Sequence, residues 1–91
     1  MGKYFVVIYK TETGYSAHSP DIQGCAATGT TVEETKQNIK EALEFHIEGM
    51  LGEGDSIPSP QSVSKYLAKF SDADYFTKVD VYAQAPVSGI I

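Results

Sequence analysis

The apolar positions along this chain keep three different rhythms. Residues 4–9, YFVVIY, are apolar without a break and rich in β-branched and aromatic side chains, which is the pattern of a strand covered on both faces. From residue 32 to 50 the period becomes helical. At about 100° per residue, Val32, Thr35, Ile39, Ala42, Leu43, His46, Ile47 and Met50 share one side, while Glu33, Gln37, Glu41, Glu44 and Glu48 fall opposite. From Tyr75 to Ala83 the period is two: Tyr75, Thr77, Val79, Val81 and Ala83 share a dry face, and Phe76, Lys78, Asp80 and Tyr82 share a mixed one.

Turn residues divide these runs. ETG at 12–14 predicts a hairpin turn with Gly14 free to take positive φ, and Tyr15–Ser19 predicts the returning strand, stopped by Pro20 and Asp21. Cys25–Gly29 predicts a third short strand. Thr31-Val32-Glu33-Glu34 has the form of a capping box, in which the Thr31 hydroxyl accepts from the Glu34 amide and the Glu34 carboxylate returns to the Thr31 amide. Gly49, Gly52 and Gly54 set the helix stop between 49 and 54. Pro58 and Pro60 hold the next connection semi-extended, and Val63, Tyr66, Leu67 and Phe70 predict a short second helix over Ser62–Phe70.

The expected order is β-β-β-α-(α)-β, an α+β fold: a small antiparallel sheet, begun as a three-stranded meander, with one main helix across a face and the last strand beside the first. With 91 residues a second core would leave each half too small to bury enough apolar surface, so the expectation is one domain over 1–91, with 83–91 as its tail.

Composition narrows the class. The chain is 42% hydrophobic and 21% charged, which suits a folded soluble protein. No run nears the roughly 20 apolar residues that cross a bilayer, and no leader pattern opens the chain, so a cytoplasmic protein with no membrane partner is expected. One cysteine, Cys25, fits a reducing compartment. The net charge of −5 argues against nucleic acid, whose phosphates need Lys and Arg, and favours a basic protein partner.

Candidate chemistry is sparse. Gly24 and Gly29 match the glycine spacing of a phosphate-binding loop, but Thr30 stands where that loop needs its lysine. The stretch therefore reads as strand, turn and helix cap. His18, Cys25 and His46 show none of the spacings of a metal site, so no metal and no cofactor is expected. His46 in the apolar stripe reads as a packed or interface histidine, His18 beside a turn as a solvated one, and Cys25 as a small buried thiol. The acidic outer side of the helix has two readings, a solvated surface or a docking surface for a basic protein.

Tyr15-Ser16-Ala17, Pro20-Asp21-Ile22, Gly24-Cys25, Gly29-x-Thr31, Glu33-Glu34, Asn38-Ile39, Ala42 and Ile57-Pro58-x-Pro60 together resemble the HicB family, the antitoxins of HicA–HicB toxin–antitoxin pairs, over roughly residues 4–83. The resemblance implies a bacterial or archaeal protein with a degenerate RNase H-like α+β domain. Such a domain masks HicA, a small basic ribonuclease that cleaves mRNA. Many members continue into a DNA-binding segment. Only eight residues follow Ala83 here, so the expectation is a member that lacks that segment and binds no nucleic acid by this chain alone.

An RNase H likeness raises the rival reading of a nuclease. Two-metal hydrolysis needs several converging carboxylates, and strand one carries none, Glu12 and Asp21 sit at turns, and Asp80 shares its face with Lys78. The expectation is a protein with no catalytic residues. Its partner surface is placed at Glu41, Glu44 and Glu48, with Asp21 at the rim. The alternative is a stand-alone homo-oligomeric domain of unknown ligand, orphan of any toxin, that pairs through the edge at Tyr75–Ala83; a homo-oligomer, dimer or tetramer, is expected under either reading.

Overall fold

The structure, a computed structural model, describes residues 2–22, 24–58 and 63–81. Strands β1 (Gly2–Lys10), β2 (Tyr15–His18) and β3 (Ala26–Gly29) precede helices α1 (Val32–Gly52) and α2 (Val63–Lys69), and β4 (Tyr75–Val81) follows. The sheet order is β3-β2-β1-β4. All three pairings are antiparallel, so the last strand lies beside the first, as the pattern predicts. The predicted Tyr82, Ala83 and Pro60 lie outside the described residues.

A strand apolar on both faces must be central and covered twice. Accordingly Tyr4, Val6 and Ile8 enter one cluster with Ile39, Leu43 and Ile47 of α1 and Val79 and Val81 of β4. Phe5 and Val7 point the other way and are covered by Tyr66 of α2, with Phe70 and Phe76 at the margin. The β1–β4 register sets Tyr4 against Val79 and Val7 against Phe76, so directly opposed residues share a cluster. The face expected to be dry in β4 is dry at Val79 and Val81; Tyr75, at the strand's first residue, is 40% exposed.

Three local expectations need correction. Gly14 does not take positive φ, which is seen at Gly24 and Gly54. Its lack of a side chain serves close approach, because a Cβ there would strike the Gly29 carbonyl oxygen. The capping box is shifted by one residue: the Thr31 hydroxyl accepts from the Glu34 amide at 3.0 Å, but the Glu34 carboxylate accepts from the amide of Thr30 at 2.7 Å. One orphan donor is satisfied in either case. Leu67, expected on the apolar side of α2, is 44% exposed; among the described side chains of this seven-residue helix Tyr66 is the buried one, with Phe70 just beyond its end at the margin of the cluster.

At its far end α1 runs through Gly49 and closes on Gly54 at φ +78°. The Asp55 amide donates to the Met50 carbonyl and the Gly54 amide to that of Leu51. That pair of bonds is a Schellman closure, and it resolves the stop that three glycines leave open.

Candidate functional site

Because α1 buries Thr35, Ile39, Leu43 and Ile47, its opposite side must face solvent. Glu33, Glu34, Gln37, Glu41 and Glu48 are exposed there. The Gln37 amide donates to Glu41 at 2.8 Å. Lys40 Nζ lies 2.8 Å from a Glu44 carboxylate oxygen, one turn along. Glu41, Glu44 and Glu48 are thus brought to one side of one helix, with the charge of Glu44 offset by Lys40.

Towards its C-terminus this face changes character. Phe45 is 81% exposed and borders an open depression whose other walls include His46, Gly49 and Met50, with Glu48, Glu53 and Asp55 around them. His46, placed by its period in the apolar stripe, is half-buried at the edge of this depression. The last turn of α1 holds no basic residue, so nothing within it offsets the partial negative charge of the helix end.

Asp21 is placed elsewhere. It is 8% exposed, and its Oδ1 accepts from the Tyr66 hydroxyl at 2.7 Å. Asp21 therefore ties the β2–β3 turn to α2, away from the three glutamates, where the sequence reading set it on an exposed rim. Burial first, then the hydrogen bond and charge of Asp21, push the Tyr66 hydroxyl up to about 12. Burial, and after it the same carboxylate, raises Tyr4 as well.

His18 is not a solvated residue. It is half-buried, its ring lies parallel to Tyr9 at 6.3 Å and edge-on to Phe70 at 5.4 Å, and burial lowers its pKa. Cys25 is 5% exposed and burial raises its thiol pKa, the opposite of what a nucleophile needs. Among the described residues no group of three or more His, Cys, Asp or Glu could hold a metal ion. At the 24–31 loop, Gly24 takes φ +80°, and a Cβ at Gly29 would come within 2.7 Å of the Thr35 amide nitrogen. The two glycines serve backbone shape and helix packing.

Two features escaped the sequence reading. Phe45 lies between Glu41 and Gly49 on the helix surface, off the apolar stripe, and that displacement is a signal periodicity could have flagged. The stacking of Phe5 on Tyr66 and Phe76, both at 5.5 Å, joins residues too far apart in sequence for any local pattern to pair them.

The family described as HicB-like antitoxin of bacterial toxin–antitoxin system matches residues 4–86. An uncharacterised 14.9 kDa protein of Haemophilus phage HP1 is 38% identical over 79 residues, which are 86% of this chain and 59% of the phage protein. The chain thus spans about three fifths of that relative's length. Among solved structures, one chain of the HicA3 and HicB3 toxin–antitoxin complex is 30% identical with a TM-score of 0.72, covering 88% of this chain and 98% of that one. The Burkholderia pseudomallei antitoxin HicB shares the fold, with a TM-score of 0.79 at 24% identity over 89% of this chain and 64% of that one. Among the described residues no helix is long and apolar enough to cross a membrane.

Proposed function

From the premise that this chain belongs to the HicB-like antitoxin family, we propose that it is the protein-binding part of an antitoxin, masking a small basic HicA-type mRNA ribonuclease by occlusion in the cytoplasm. The observation that carries this reading is the outer side of α1, where Glu33, Glu41 and Glu48 stand exposed on a protein of net charge −5. Such a face speeds encounter with a cationic partner and repels nucleic acid. Glu41, Glu44 and Glu48 supply steering, and Asp21 acts indirectly by holding the β2–β3 turn against α2. In this reading the chain performs no chemical step of its own and needs no cofactor.

The test is co-expression with a cognate HicA-type toxin. Restored growth and a complex that co-elutes on size exclusion support the reading, whereas growth arrest with no complex overturns it. Within a complex, the Glu41→Lys/Glu48→Lys double variant should slow association several-fold at low salt and by much less at high salt.

A second reading rests on the sheet edges. Among the described residues β3 and β4 each pair on one side only, and an open edge can pair with another copy. Light scattering that finds only monomer would remove this homo-oligomer reading.

A further inference from the structure

We infer that Phe45 is the apolar anchor of the partner interface, seated in an apolar socket of the basic partner whose rim of Lys or Arg reaches the carboxylates around it. The inference rests on the reading that the outer side of α1 docks a basic protein. It adds which residue holds the complex and what chemistry receives it.

A single exposed apolar side chain is ordinary on a protein surface. Three observations set this one apart. The first is redundancy: Ile39, Leu43 and Ile47 are each completely buried, so α1 docks on the sheet without Phe45, which at 81% exposure contributes almost nothing to the core. The second is the residue one turn on. Gly49 lies inside α1, where glycine weakens a helix, yet a Cβ there would meet nothing within 4 Å and its φ is not positive. The fold has no steric use for that glycine. What it provides is a bare shelf of backbone beside the Phe45 ring, of the kind that lets another chain approach closely.

The third is charge. Between Glu41 and Ser64 the sequence holds Glu41, Glu44, Glu48, Glu53 and Asp55 and not one Lys or Arg, while the last turn of α1 has no basic residue against the helix dipole. Glu48, Glu53 and Asp55 stand around the same depression as Phe45 and Gly49. An aromatic centre inside a polar rim is the usual form of an interface hot spot, and this rim selects cations. Lysine or arginine stems could also lie along the ring face while their charged ends reach the carboxylates.

The experiment measures, by titration calorimetry, the affinity of a cognate HicA-type toxin for the wild type, Phe45→Ala and Gly49→Gln, with melting temperatures as fold controls. Both variants should melt at or above the wild-type temperature. Phe45→Ala should lose about thirtyfold or more in affinity, and Gly49→Gln, which fills the shelf, about tenfold. If the wild type binds and both variants bind equally well, the inference falls and the antitoxin reading stands. If the wild type itself does not bind, both fall. Should Phe45→Ala instead abolish a wild-type dimer while leaving partner affinity intact, the patch belongs to a second copy and the inference is overturned.

Discussion

The two faces of the sheet are covered in different ways. On one side α1, 21 residues long, lays Ile39, Leu43 and Ile47 against aliphatic side chains from β1 and β4, joined by Tyr4 and Ala17. On the other side α2, seven residues long, covers Phe5 and Val7 with Tyr66, the buried residue among its described side chains. The first face is held by many apolar contacts spread along the helix. The second rests, among the described residues, on stacked rings and includes the buried hydrogen bond from Tyr66 to Asp21. Cohesion spread over many contacts degrades gradually and couples to global unfolding, whereas cohesion gathered at one anchor opens locally.

The largest effect should come from the α1 face. Leu43→Ala removes a fully buried side chain and should cost about 2–5 kcal/mol, read as a fall in the urea midpoint that involves the whole molecule. A loss under about 1 kcal/mol would show that this face is not the principal core.

Tyr66→Phe keeps the ring and deletes a hydroxyl bonded to a buried carboxylate. It should cost about 1–3 kcal/mol, and amide exchange should rise first in α2 while α1 keeps its protection. Equal loosening of both helices would erase the distinction between the faces. Alkali probes the same anchor. The folded hydroxyl at about 12 lies above its ordinary value near 10, so its stabilising contribution is complete below that ordinary value. It is lost as pH rises through 10 towards 12, and Tyr66→Phe should flatten that part of the curve.

Thr31→Ala removes the hydroxyl that accepts from the Glu34 amide and should cost about 1 kcal/mol. The change should fall on the first turn of α1 and leave the Tyr66 anchor untouched.

The smallest effect is set by His18. Burial holds its pKa below the ordinary value, so the unfolded chain takes up the proton first as pH falls. Stability conferred by neutral His18 is complete above the ordinary histidine pKa of about 6.5 and declines below it. His18→Phe, which preserves the ring contacts with Tyr9 and Phe70, should remove that component of the pH dependence. A curve unchanged by the substitution would mean that His18 takes no part in it.

Glycines show how far local pattern carries. Helix-stop chemistry offers Gly49, Gly52 and Gly54 for the end of α1, and it is Gly54 that takes the positive φ. Gly14 and Gly29 could not be understood in this way, because their reason is contact: Gly14 with the Gly29 carbonyl, Gly29 with Thr35. The residues proposed for the partner surface divide along the same line. Glu41, Glu44 and Glu48 were legible as one side of a helix, while the ion pair that offsets Glu44 and the interior position of Asp21 were not.

Hydrophobic period, with the turn and cap residues that punctuate it, determined the element types, the double covering of β1 and the stripe by which α1 docks, because each is a local property of the chain. Tertiary structure decided that Asp21 meets Tyr66 across 45 positions of sequence, that His18 packs between two rings, and that Phe45 stands bare beside a glycine shelf. These are meetings between elements. A side chain's period names the face it points to, and only the packed neighbour determines what it finds there.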